Sequence, residues 1–173
     1  MRLTAEAMRC LRAHMYGLLV IGIFLIINPL LLTLLFGARP LALPPNVGQM
    51  LSFVGLSLMI AGGALSYFCM IIFITRGHGT AFPEEPPQIL VVSGAYRFVR
   101  NPMYLGNLAL ALGIGLALRS TTYTIYAIIL AFATHLYISR VEEPALLRRY
   151  GDAYKNYCAT TNRWVPRRFN ESL

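Results

Sequence analysis

Aspartate is nearly missing from this chain, with Asp152 its only copy, and charge of either sign is scarce at 13% of residues. Three cysteines (Cys10, Cys69, Cys158) are odd in number and far apart, and three histidines (His14, His78, His135) are equally scattered. No pair has metal-ligand spacing and no disulfide framework can be drawn. A Ser-His-Asp triad and a zinc site both lack material, so chemistry that depends on either is set aside. Acidic residues number 7 against 15 lysines and arginines, a formal net charge of +8. Such a balance often marks nucleic-acid binding. Here the cations flank apolar runs instead of forming a patch, so anionic lipid headgroups account for them and nucleic acid does not.

What is abundant is apolar sequence: 57% of the 173 residues, with a mean hydropathy of +0.58. These values exceed those of soluble domains and indicate one integral membrane domain over residues 1–173. An apolar run from Met15 to Phe36 follows Arg2, Arg9 and Arg12 and is long enough to cross a bilayer. It is expected to be a retained span, not a signal peptide, with Pro29 kinking its helix. After the proline-rich turn Gly37–Asn46, a second run extends from Val47 to Ile74. Its Gly55, Ser57, Gly62, Gly63 and Ser66 would let another helix approach closely. Residues 1–75 thus hold two N-terminal spans.

Arg76 to Asn101 breaks the pattern with Gly77, Gly79, Pro83, Pro86 and Pro87. A connection this long in a compact domain is usually functional, and Ile89-Leu90-Val91-Val92 should fold it back onto the protein at the membrane face. Two shorter runs, Met103–Leu118 and Thr121–Ile138, meet at Arg119-Ser120 and read as a helical hairpin. Beyond Pro144, where a helix must bend or restart, Leu147, Tyr150, Tyr154 and Tyr157 recur at helical spacing and form one amphipathic face. Glu143 falls on that stripe, and Glu142 lies about 100° round the helix. Paired glutamates where a membrane helix meets the interface are functional candidates; solvation at the helix start is the plainer alternative. The fold class is therefore all-α, with about four transmembrane helices and a cytoplasmic amphipathic helix at the C-terminal end. Arginine asymmetry puts both termini and the 76–101 loop on the cytoplasmic side, leaving only Arg39 and Arg119 opposite.

The segment Ser93–Gly106 runs from a polar turn straight into an apolar helix. Pro102 suits a first helical position, and the unpaired N–H groups there, with Arg97 and Arg100 nearby, suit a carboxylate or phosphate. Anchoring of Arg97, Arg100, Tyr96 and Tyr104 at lipid headgroups is the alternative.

Two blocks taken together resemble one family. Gly94-Ala95-Tyr96-Arg97-Phe98-Val99-Arg100-Asn101-Pro102-Met103-Tyr104-Leu105-Gly106 resembles the G-P-Y-R-x-V-R-[HN]-P-x-Y-x-G signature of integral membrane methyltransferases. That group includes isoprenylcysteine carboxyl methyltransferases and phosphatidylethanolamine N-methyltransferases. Glu142-Glu143-Pro144-Ala145-Leu146, with Tyr150-Gly151-Asp152-Ala153-Tyr154 and Tyr157, resembles their E-E-x-x-L…[FY]-G-x-x-Y-x-x-Y block, and Gly77–Pro83 with Pro86-Pro87 looks like bacterial members. Similarity covers roughly residues 76–168. Ala95 stands where proline is usual, Asn101 where many relatives have histidine, and Arg163 precedes the Val-Pro pair that it commonly follows.

The resemblance implies S-adenosylmethionine as cofactor, held by Tyr96, Arg97, Arg100, Asn101, Pro102, Tyr104, Leu105, Gly106, Glu142 and Glu143. Glu143 would be the partner of the cofactor's ammonium if it sits on the inner stripe. Arg100, Tyr104 and Arg163 are candidates for positioning the reactants, and no metal is implied. The acceptor would be a lipid or lipophilic small molecule carrying a carboxylate or an amine, and the location a bacterial inner membrane. Two other classes stay open: an NADPH-dependent enzyme like the sterol reductases, whose C-terminal region shares R-x-P-x-Y-x-G, and a non-catalytic membrane interaction subunit.

Overall fold

The computed structural model describes residues 11, 15, 19, 22–37, 39–80 and 86–167, apart from the side chain of Phe24. Arg2, Arg9, Arg12, Pro83 and Arg168, and with them the placement of both termini, lie outside the described residues.

The described chain is helical, with no strand among the described residues. A π-helical turn, Gly22–Ile27, leads into α1 (Asn28–Phe36). Helix α2 (Pro45–Arg76) has 32 residues and extends past both expected ends. A 3₁₀ turn, Gly94–Arg97, precedes α3 (Pro102–Ala117). Helix α4 (Thr121–Tyr137) continues through a π-helical stretch, Ile138–Glu142, into α5 (Glu143–Tyr150), and α6 (Asp152–Thr160) follows.

Two of these helices are long and apolar enough to cross a membrane: Pro45–Arg76, at a mean hydropathy of 2.1, and the continuous Thr121–Tyr150, at 1.4. Only 17% and 11% of their apolar windows are buried within the protein. Side chains such as Met50, Phe53, Ile60, Ile128 and Phe132 point outward instead, each more than 60% exposed. A water-soluble core helix would hide them; lipid would cover them here. Of the four spans expected from sequence, these two meet the length among the described residues, and part of the first, Met15–Phe36, lies outside them. Leu25–Phe36 and Pro102–Ala117 are shorter apolar helices, and the 16 residues of α3 reach only about 24 Å.

The interior is built from small residues. Gly48, Gly55, Gly62 and Cys69 of α2 are buried at seven-residue intervals, as are Gly106 and Gly113 of α3. A repeat of seven keeps one seam facing an antiparallel partner. A Cβ on Gly62 would lie 2.5 Å from the Gly106 carbonyl oxygen, and one on Gly55 would lie 2.7 Å from that of Gly113. The backbones therefore touch, and Ser66 Oγ donates across the seam to Asn107 Oδ1 at 2.8 Å. Gly55, Gly62 and Ser66 do what their size predicted. Ser57 does not: it is exposed and bonds its own helix at Phe53 O, 2.9 Å, while Gly63 faces open space.

Two turns close one end of the molecule. Leu41 N donates to Arg119 O at 2.8 Å and Thr121 N to Arg39 O at 2.9 Å, which ties the α1–α2 connection to the α3–α4 turn. At the other end the return loop folds onto α2: Gln88 N donates to Gly77 O at 2.8 Å, and Val91 is buried with Cys69, Ile72 and Tyr96. Ile89 and Val92 remain exposed.

Pro144 neither breaks nor restarts the helix. Lacking an N–H, it would leave a carbonyl one turn back unpaired in an α-helix. The chain widens to a π-helical register over Ile138–Glu142 instead, with Glu143 N donating to Ile138 O. The break comes later, at Gly151 (φ 55°, ψ −129°), between α5 and α6.

Candidate functional site

The arginine motif and the glutamate motif meet at the end where the return loop packs. A cavity of about 640 Å³ opens there, walled by the loop (Thr80, Pro86, Pro87, Leu90, Val91), the 3₁₀ turn and the start of α3, and by α5 and α6. Tyr96 is buried, its ring stacked on Phe73 at 5.0 Å between centroids. Its carbonyl accepts a 2.6 Å hydrogen bond from the hydroxyl of Tyr157 on α6. Burial pushes the phenols of Tyr96, Tyr154 and Tyr157 well above the usual tyrosine range, so all three stay neutral donors.

Asn101 ends the turn at φ −125°, ψ 53°, and Pro102, fully buried, takes the first position of α3. The helix then turns Met103 and Tyr104 toward the cavity. Tyr104 Oη donates to Glu142 Oε2 at 2.8 Å, joining residue 104 of one motif to residue 142 of the other. Arg100 also lines the cavity. Its backbone N donates to Asn162 O at 2.9 Å, its Nη1 contacts Cys158 Sγ, and its Nη2 lies 3.3 Å from Glu143 Oε1. Its Nε is buried with no hydrogen-bond partner.

Not every residue anticipated for binding the cofactor or positioning the reactants faces the cavity. Tyr96, Arg100, Asn101, Tyr104 and Glu142 do; Arg97, Pro102, Leu105, Gly106, Glu143 and Arg163 do not. Arg97 is exposed and lies over the ring of Phe98 at 4.6 Å. Gly106, about 200° round α3 from Tyr104, is the point of contact with Gly62 and serves packing. The largest departure concerns the glutamates. Glu143 was placed on the inner stripe by a straight 3.6-residue count; the π-helical turn before it shifts the phase and presents Glu142 instead. Glu143 is held from behind by Arg163, Nε to Oε1 at 2.9 Å and Nη2 to Oε2 at 2.6 Å. Hydrogen bonding to that carboxylate raises the already high pKa of Arg163 further. The stripe itself is interrupted: Tyr154 and Tyr157 are buried, whereas Leu147 is 48% exposed because Gly151 resets the direction of the chain.

Several lining residues carried no signal of their own in the sequence. Phe73 and Tyr137 were simply part of apolar runs, and Arg148 and Arg149 counted only as cations near the membrane. Pro87 could have been weighed, because the Pro86-Pro87 pair belongs to the bacterial pattern; its carbonyl accepts from the Tyr150 hydroxyl.

Among the described residues, no group of three or more His, Cys, Asp or Glu could hold a metal ion. The cavity presents one carboxylate, the guanidiniums of Arg100, Arg148 and Arg149 and several phenols around a mostly apolar space, an arrangement for binding and orienting a charged small molecule.

Residues 72–153 match the phospholipid methyltransferase family. No curated protein matches the chain. The family match bears out the resemblance carried by the two motifs, and it spans every cavity-lining residue except Tyr154 and Tyr157. Methyltransferase activity on a lipid is what a phospholipid methyltransferase segment implies, and the two long apolar helices agree with association with a membrane.

Proposed function

We propose that this protein transfers a methyl group from S-adenosylmethionine to a lipid or lipophilic acceptor at the cytoplasmic face of a bacterial inner membrane. The Tyr104–Glu142 contact carries this function: it joins the two family motifs in the wall of one cavity inside the matched segment. A volume of about 640 Å³ falls within the range of roughly 300–1,000 Å³ usual for small-molecule sites.

The residues fit the cofactor's charges. Glu142 can accept hydrogen bonds from an ammonium. Arg100, which lines the cavity, and the first N–H groups of α3 can donate to a carboxylate. The ring faces of Tyr96, Tyr104 and Tyr154 suit an adenine and a sulfonium. Bound there, S-adenosylmethionine supplies a methyl group already activated on sulfur, so orientation by the protein does most of the work. A carboxylate acceptor is anionic at neutral pH and needs no base. For an amine acceptor, Glu142 is the cavity carboxylate within reach of a proton.

Four spans with both termini cytoplasmic complete the proposal. In support, the tied turns holding Arg39 and Arg119 lie at one end and the arginine-rich cavity at the other.

Calorimetry on purified protein in detergent tests the function with S-adenosylmethionine and S-adenosylhomocysteine. Both should bind, and Glu142→Gln and Arg100→Ala should each weaken binding by about 10- to 100-fold, the value of a charge-assisted hydrogen bond. Folded wild-type protein that binds neither compound refutes the proposal. Binding of NADPH in their place moves the protein to the reductase-like class, and unchanged affinity in Arg100→Ala returns that arginine to headgroup anchoring.

A further inference from the structure

Behind the cavity wall lies a chain of contacts that reaches the cavity only at Arg100 and Asn101. Arg163 grips Glu143 with two hydrogen bonds, 2.9 and 2.6 Å, in the side-by-side geometry of a bidentate guanidinium–carboxylate pair. Glu143 in turn lies 3.3 Å from Arg100 Nη2, and Arg100 Nη1 rests on Cys158 Sγ. The same tail segment holds the Arg100 backbone: Arg100 N donates to Asn162 O at 2.9 Å, and Asn101 Nδ2 donates to Arg163 O at 3.4 Å. Farther on, Trp164 Nε1 donates to His135 Nδ1 at 3.0 Å and pins the tail to α4. Two arginines share one carboxylate, and the three side chains are 13%, 15% and 27% exposed for Arg100, Glu143 and Arg163.

An arginine has three nitrogen centres. Two of those on Arg100 are occupied on the far side of the cavity wall, and the third, Nε, is buried and unbonded. A guanidinium tied this way cannot sample other rotamers without breaking the Glu143 and Cys158 contacts together. Orientation is therefore set by residues 143 and 163, although neither lines the cavity.

We infer that Glu143 and Arg163 are positioning residues: the tail, through the Arg163–Glu143 pair, fixes the Arg100 guanidinium in the cavity wall, where it serves an anionic group of the bound ligand. This rests on the cofactor-binding function proposed above for the ligand itself, but the lock is a property of the chain alone. It assigns Glu143 away from the ligand's ammonium, and Arg163 away from contact with either reactant.

Two readouts test it. The first is calorimetry with S-adenosylhomocysteine on Arg163→Gln, Glu143→Gln and the double variant. Each single change should weaken binding about tenfold, and the double variant should be no worse than about twofold beyond either single one, because both act on one contact. Arg163→Lys keeps the charge without the paired geometry and should fall between wild type and Arg163→Gln. Glu142→Gln combined with Arg163→Gln should instead multiply the losses. The second readout needs no cofactor: labelling of Cys158 by N-ethylmaleimide, followed peptide by peptide in the mass spectrometer. Releasing Arg100 should raise that rate several-fold in Arg163→Gln and Glu143→Gln alike. Multiplying losses in the 143/163 double variant, or unchanged Cys158 labelling in folded single variants, overturns the inference. Failure of the wild-type protein to bind S-adenosylhomocysteine would overturn the methyltransferase function instead, and the Cys158 rates would still decide the lock.

Discussion

Adjacent glycines in the middle of α2 should respond to the same substitution with opposite sign. A methyl group on Gly62 would lie 2.5 Å from Gly106 O and 2.8 Å from Leu110 N, both backbone atoms of α3. Non-bonded heavy atoms prefer separations of about 3.5–4.0 Å, so Gly62→Ala must push the two helices roughly 1 Å apart at this crossing. Overpacking of this kind costs about 1–3 kcal/mol. The rigid backbone partners place it near the upper end, and the better helix propensity of alanine returns about 1 kcal/mol, leaving a net loss of about 2 kcal/mol. Gly63 has nothing within 4 Å, so Gly63→Ala keeps only the propensity gain, up to about 1 kcal/mol. For a chain of this size each kcal/mol moves the midpoint by about 2–4 °C. Thermal unfolding in detergent should therefore find Gly62→Ala about 4–8 °C below wild type and Gly63→Ala about 2–4 °C above it. The loss at Gly62 should also reach the site. Gly106 lies two residues after Tyr104, whose 2.8 Å bond to Glu142 depends on where α3 sits, so cofactor affinity should drop in Gly62→Ala alone. Equal shifts in the two variants, or a Gly62→Ala protein as stable as wild type, would refute the close backbone seam.

Three other outcomes follow from the structure. Tyr157→Phe removes the 2.6 Å bond to the Tyr96 carbonyl and leaves that acceptor buried, so chemical denaturation should show a loss of about 1–3 kcal/mol. Because burial raises the Tyr154 and Tyr157 pKa values above that of the unfolded chain, the folded state holds its phenolic protons more tightly. Stability should be level below pH about 10, the unfolded tyrosine value, and fall as pH rises beyond it; the same denaturation series run against pH should show a shallower alkaline fall in Tyr154→Phe and Tyr157→Phe. Finally, cysteines at the exposed positions Leu43 and Leu118 should be labelled from outside intact cells by an impermeant maleimide, and one at Lys155 only after permeabilisation; labelling of Leu118→Cys only after permeabilisation would mean that α3 and α4 re-enter the same face.

Composition and spacing by themselves determined the helical class, the chemistry excluded for want of aspartate, histidine and cysteine, and the two motifs that carry the family. These are local properties: apolar length decides what a helix can cross, Pro102 marks a helix start, and a signature is contiguous in the chain. Tertiary structure alone decided which members of each motif face the cavity. Gly106 and Tyr104 are two residues apart, and only the position of α2 makes one a packing contact and the other a wall of the site. Glu142 and Glu143 are adjacent and chemically identical, and a one-residue widening of the helix before Pro144 turned Glu142, not Glu143, to the cavity. A helical count cannot foresee that, because the phase of a helix is the sum of every turn before it, and one wide turn shifts everything that follows.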